Sequence, residues 1–314
     1  MNQLNEPGLA RRVGYVVQAV LNFTREYSNA DSPEPRRDSP AWLEVEAAES
    51  TPEWSGAQSI DLHGAYSDGS AICIPAAAEC LQGLVQLYQD QMALYAFQSV
   101  ARSVIEISAR AWWVLDCEID SQTRTARHFV NMLESIKRQN DLGYFGDVSS
   151  DAFGLRLHAF MQRAGKAGLR AKYAKDKTLH PIPEAGHFLP DLAAIKVPTG
   201  FDGEYFKTGG EIIGPFMKTY GSSEGQQWWR SLSGVAHGTS YALLDHLSFE
   251  LDHETNQVFT EKQLRATTVV HTAYVAADAY LSAVTSNARL FGFNEQPIAD
   301  ARRELLGSMQ TILS

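Results

Sequence analysis

The sequence predicts an all-α fold, an antiparallel helical bundle, and three observations carry that expectation. Apolar residues recur every three to four positions through several long stretches, the period of one helix face. Prolines gather at Pro33, Pro35, Pro40 and Pro52, and again at Pro181, Pro183, Pro190 and Pro198, between the periodic stretches. Strand-like alternation is confined to short segments that would close small hairpins at most.

Residues 9–27 form the first predicted helix, with Val13, Val16, Val17, Val20, Leu21 and Phe23 mostly on the helical period. Residues 28–58 change character. Four prolines and many Ser, Glu and Asp residues mark a linker or long surface excursion, which Trp42 and Trp54 would dock. Residues 60–74, spaced by Gly and Ser, read as a loop or one short hairpin. Pro75 suits a first helical turn, and no further proline occurs before about Asp116, so that stretch is one long helix or two in tandem. Helices follow at 121–140, 152–175 and 210–220, with 179–203 as a proline-rich connector. A helix at 224–248, a small hairpin across 249–259, and helices at 260–290 and 297–313 complete the chain. The expected organisation is an N-terminal helix plus linker over 1–60 and a helical bundle over 61–314.

The chain has 314 residues, 44% hydrophobic and 20% charged, which is ordinary globular composition with length for one large core or two smaller ones. A net charge of −10 argues against broad coating of nucleic acid, yet it permits a local basic groove. Cys73, Cys80 and Cys117 lack CxxC spacing and point to thiols in a reducing compartment, without a disulfide or zinc framework. Arg11-Arg12 before an uncharged run looks like the start of a signal peptide. However, Glu6 lies upstream, Arg25-Glu26 ends the run, and no small-residue cleavage site follows. No apolar segment approaches the length of a membrane span, so a cytoplasmic chain without a membrane partner is expected.

Residues able to do chemistry concentrate in Trp228-Trp229-Arg230-Ser231-Leu232-Ser233-Gly234-Val235-Ala236-His237-Gly238-Thr239-Ser240-Tyr241. Arg230 and His237 are seven positions apart, so on a helix they lie about 20° from one another, two turns along one face. Gly234 and Tyr241 share that stripe. A guanidinium, an imidazole that titrates near neutrality and a phenol in one line make a candidate phosphate site, with Ser231 and Ser233 beside it.

The Arg230-x6-His237 pair in a helical chain resembles the Arg-x(4–6)-His signature of HEPN domains. These are helical bundles, many of them metal-independent ribonucleases that act as toxins or antiviral effectors. The resemblance implies RNA as the partner, a homodimer whose two Arg–His pairs line one cleft, and a neutralising partner protein. It implies neither cofactor nor metal. His237 would exchange the proton of the attacking 2′-hydroxyl or of the leaving oxygen, and Arg230 would hold the scissile phosphate. Six intervening residues is the long end of that spacing. Ser231 is short where a larger polar residue is common, and Gly238 follows the histidine. HEPN-like bundles without nuclease activity serve as binding or dimerisation modules, so the alternative is a non-catalytic module for a partner protein or nucleotide.

Two further patterns bear on that site. Arg102, Glu106 and Arg110 are spaced four apart in an apolar helix, which puts each near the next on one face. Glu106 would orient the Arg–His pair from across the bundle, or belong to a salt-bridge ladder with its neighbours. Between Ala152 and Thr178, seven Lys or Arg residues meet only Asp176, and Arg163, Lys166, Arg170 and Lys172 are the candidate RNA contacts. His180, Glu184 and His187 lack a helical HExxH frame, no G-x-S-x-G elbow precedes Ser233 or Ser240, and Gly209-Gly210 is not a P-loop.

Overall fold

Helix α5 (Ala96–Leu115) is the centre of the molecule, because its sequence is apolar or small on most sides. Ala101, Val104, Ile105, Ala109, Ala111, Trp113, Val114 and Leu115 are all buried. The computed structural model describes residues 7–30, 34–50, 57–90, 96–142, 149–174, 178–182, 196–220, 225–236, 247–252, 257–262 and 266–314. Preceding α5 in the chain are α1 (Pro7–Ala30), α2 (Pro40–Ser50), α3 (Ala57–Ser67), a π-helical segment (Asp68–Cys73) and α4 (Ile74–Asp90). Following it are α6 (Ser121–Asp141), α7 (Ser149–Lys166), α8 (Gly209–Tyr220), α9 (Gly225–Ala236), α10 (Ala266–Phe291) and α11 (Gln296–Leu313). The fold is an all-α bundle, as the periodicity predicts.

Among the described elements α5 makes the most packing contacts, and it meets α4, α10, α8 and α9. Helix α10 buries Ala273, Ala276, Ala277, Ala279 and Ala283, small side chains that let two helix axes approach closely. Helix α1 lies over α4, α10 and α11, and the buried Tyr280 hydroxyl of α10 donates to Thr24 Oγ1 at 3.2 Å. The strands are short. β1 (Arg170–Lys172), β2 (Leu179–Pro181), β3 (Gly200–Phe201) and β4 (Glu204–Tyr205) form an antiparallel sheet in the order β2-β1-β3-β4. β5 (Leu247–Asp252) and β6 (Gln257–Lys262) pair as a hairpin, where a smaller one is expected over 249–259.

Several expectations are corrected. Residues 40–50 form helix α2, whose Ala41 and Ala48 are buried, within the stretch read as linker. Residues 60–74 are helical throughout, and the reason is packing. A Cβ on Gly64 would stand 2.8 Å from His128 Nε2, and one on Gly69 would overlap the Leu115 side chain. Those glycines mark close helix contacts, not turns. The stretch from Pro75 resolves into α4 and α5, the second of the two alternatives. Helix α7 ends at Lys166 and not near 175, because Gly168 takes φ 75° and Leu169 N–H closes onto the Ala164 carbonyl at 3.1 Å. The helix expected over 224–248 is α9 up to Ala236, and Leu247–Ser248 already belong to β5. By length and composition alone, the continuous helical run Ile60–Tyr88 is long and apolar enough to cross a membrane, contrary to the expectation that no segment is.

The connector over 179–203 hides the turn that matters most for the site. Asp202 (φ 43°) and Gly203 (φ 90°) link β3 to β4, and positive φ at both central residues suits a tight hairpin of matching twist. A Cβ on Gly200 would collide with the Glu204 carbonyl, so glycine is required there too. The turn delivers Glu204, Phe206 and Lys207 against α5 and α6.

Candidate functional site: an arginine-lined cleft

A cleft of about 1080 Å³ opens between the π-helical segment, α5, α6, α7 and the residues after β4. Five arginines line it: Arg102, Arg110, Arg138, Arg156 and Arg163. Asp68, Glu106 and Glu134 are the carboxylates in its wall, and Asp61 behind it holds Arg163, so arginine is the commonest charged residue of the lining in a chain of net −10. That volume lies just above the usual range for small-ligand sites.

Phe206 organises the middle of the cleft. Arg110 Cζ lies 4.1 Å from the centre of its ring and Arg138 Cζ lies 5.6 Å from it, so two guanidiniums approach one aromatic ring. Arg110 donates through Nη2 to the Lys207 carbonyl at 2.6 Å, while its buried Nη1 has no hydrogen-bond partner. Burial, and then the positive charge of Arg138, hold Arg110 below the ordinary arginine range. Arg138 donates through Nε to Glu134 at 3.0 Å and is 66% exposed.

At the rim, Arg102 pairs with Glu106 at 2.7 Å, and Arg102 Cζ lies 5.8 Å from the centre of the Trp229 ring. Gly209 completes this corner. A Cβ there would stand 2.8 Å from Glu106 Oε1 and 3.2 Å from Trp229 Cζ2, so a larger residue would displace the Glu106 carboxylate and crowd Trp229. Helix α9 therefore meets the cleft through Trp229, the residue immediately before Arg230.

Two further side-chain contacts hold the wall, one from His128 to Asp68 and one from Arg163 to Asp61. His128 is 5% exposed and its Nδ1 lies 2.5 Å from Asp68 Oδ2, at the first residue of the π-helical segment. Arg163 pairs with Asp61, whose carboxylate is 1% exposed; desolvation pushes Asp61 up despite that partner. Cys73 also lines the cleft, and burial followed by the Asp68 carboxylate pushes its thiol up to about 11. At pH 8 its thiolate is roughly two orders of magnitude scarcer than that of an ordinary thiol, which removes it as a nucleophile. DTNB modification of Cys73 at pH 8, followed by peptide mapping, is expected to be at least ~50-fold slower in the folded chain than in urea. Equal rates would contradict this assignment.

The structure brings together some predicted residues and separates others. Arg102, Glu106 and Arg163 line the cleft. Arg230 and Ser231 are exposed on α9 and Ser233 is half-buried, and none of the three lines the cleft. His237 and Tyr241 lie outside the described residues. Glu106 is engaged by Arg102, and the ladder stops there because Arg110 turns to the Lys207 carbonyl and Phe206. The basic run is not one face. Lys166 is exposed at the end of α7, Arg170 pairs with Asp202 at 3.1 Å, and Lys172 is half-buried in β1. Of the metal candidates, Glu184 and His187 lie outside the described residues, among which no group of three His, Cys, Asp or Glu side chains could hold a metal ion.

Sequence reasoning misses Arg138, Phe206 and the Asp68–His128 pair. The Asp202-Gly203 dipeptide is the available signal for Phe206, since it marks a hairpin that ends beside it. Compared with known proteins, the chain matches no family model, no curated protein and no solved structure.

Proposed function

We propose that this chain binds RNA through the arginine-lined cleft and cuts it, without a metal ion, where α9 borders that cleft. One observation carries the proposal: Trp229 lies against Arg102 of the Arg102–Glu106 pair at the cleft rim, so the helix bearing Arg230 adjoins the arginine-lined cleft. In this mechanism the 2′-oxygen attacks the adjacent phosphorus and the bond from phosphorus to the 5′-oxygen breaks. The 2′-hydroxyl proton leaves to a base, the 5′-oxygen gains a proton, and a cyclic phosphate remains. His237 serves in proton transfer and Arg230 offsets charge on the phosphoryl oxygens.

The test is cleavage of single-stranded RNA in EDTA by the parent, Arg230→Ala and His237→Ala chains. His237→Ala is expected to lower the rate by at least ~100-fold. A parent that does not cleave, or three equal rates, removes the catalytic assignment.

A second reading, a non-catalytic module that binds a nucleotide, is favoured by the engagement of Glu106 with Arg102, which leaves that carboxylate already paired. It predicts nucleotide binding with no cleavage in EDTA.

A further inference from the structure

We propose that Asp68, held in place by the buried His128, accepts a ribose 2′-hydroxyl in the cleft and so selects RNA over DNA. This deepens the RNA-binding proposal and rests on it.

Asp68 differs from the other carboxylates around the cleft. Glu106 is paired with Arg102, Glu134 accepts from Arg138, and Asp61 behind the wall holds Arg163. Among the described residues no arginine or lysine pairs with Asp68, and its partner is the imidazole of His128. That imidazole is fixed. It is 5% exposed, Phe129 meets it edge-on with ring centres 5.8 Å apart, and a Cβ on Gly64 would crowd its Nε2. A proton on Nε2 would be buried without an acceptor, so the ring carries it on Nδ1 and donates to Asp68 Oδ2 at 2.5 Å. A histidine locked in this way holds the carboxylate in one orientation.

The backbone sets that carboxylate in the ligand space. Asp68 opens the π-helical segment, and Asp68, Ile72 and Cys73 all line the cleft. Their spacing of four and five positions falls on one side of the wider π-helical turn. The Asp68 side chain is 24% exposed, and its Oδ1 carries no hydrogen bond among the described residues and is not enclosed. One anchored oxygen beside one open oxygen makes a single-acceptor site.

The surrounding charges select the donor. A phosphate would be repelled by the carboxylate itself. An ammonium would also meet Arg110, since Asp68 and Arg110 both act on the Cys73 thiol. A neutral donor meets neither penalty. The paired N–H groups along a guanine edge call for two open carboxylate oxygens, and Oδ2 is already engaged. A hydroxyl needs only one, and the 2′-hydroxyl is the group that separates RNA from DNA.

The proposal is tested by titration calorimetry of the full chain with a ribonucleoside 5′-monophosphate, its 2′-deoxy analogue and its 2′-deoxy-2′-fluoro analogue. None carries a 3′-phosphate, so none can be cut. The ribonucleotide is expected to bind at least ~10-fold tighter than either analogue, the range for one hydrogen bond to a charged group. In Asp68→Ala the three should bind within about twofold of one another. His128→Leu should shrink the ribose preference, and His128→Asn, which keeps an N–H near the Nδ1 position, should restore it. A merely structural His128 would leave that ratio unmoved. Equal affinities in the parent, or a preference that survives Asp68→Ala, overturn the ribose site while RNA binding stands. A preference that follows the base and ignores the sugar assigns Asp68 to a base amino group, and also overturns it. If no nucleotide binds, the ribose site falls. A 2′-O-methylated oligonucleotide titrated alongside then shows whether the RNA-binding proposal falls with it.

Discussion

Replacing Arg124 with alanine is expected to lower the unfolding free energy by about 3–5 kcal/mol, because it breaks a buried ion pair and strands its partners. Arg124 has no exposed side-chain surface. Its Nε and Nη2 each hold one Glu44 oxygen at 3.0 Å, and it also donates to the carbonyls of Val114 and Asp116. Glu44 in turn accepts from the Tyr66 hydroxyl at 2.7 Å, and burial together with that carboxylate pushes the Tyr66 phenol far up. One guanidinium thus ties α2 to the end of α5 and the start of α6. Arg124→Lys would recover little, since an ammonium cannot span both Glu44 oxygens and the helix-end carbonyls in one plane. Chemical denaturation of parent and variant measures the loss. A change below about 1 kcal/mol would mean that the network contributes no more than an exposed ion pair.

Arg110→Ala is expected to weaken RNA binding by about 10- to 100-fold, the range for losing hydrogen bonds from a charged group. Three effects act together. The ligand loses one guanidinium, the Lys207 carbonyl loses its donor, and Phe206 loses the cation stacked at 4.1 Å. Arg230→Ala makes the contrasting case. Arg230 is exposed on α9 and outside the cleft lining, so its loss should change binding less than about threefold while cleavage falls. Titration calorimetry with uncleavable RNA separates the two variants. Equal losses of affinity would place the phosphate contacts on α9 instead of in the cleft.

Much of the helical layout is legible in the sequence because amphipathic periodicity is a local property. The helices α1, α6, α8 and α11 appear close to their expected limits for that reason. Residues 57–73 do not, since glycine carries two meanings that a sequence alone does not separate. At Gly64 and Gly69 it admits His128 and Leu115 from other helices, whereas at Gly203 it makes a turn. The same limit governs the cleft. Arg102 and Glu106 can be paired from their spacing on one helix. Arg138 and Phe206 cannot be, because each reaches the site from a separate element.

What the sequence by itself determined is therefore the class of fold and the spacing that lets Arg102 and Glu106 meet on α5. Tertiary structure decided which arginines converge. Arg110 turns to Phe206, Arg163 is held by buried Asp61, and Arg170 is drawn off by Asp202. The physical reason is that charge acts through space. A cluster of cations becomes a site only when packing brings distant helices together, and no local pattern along the chain records that convergence.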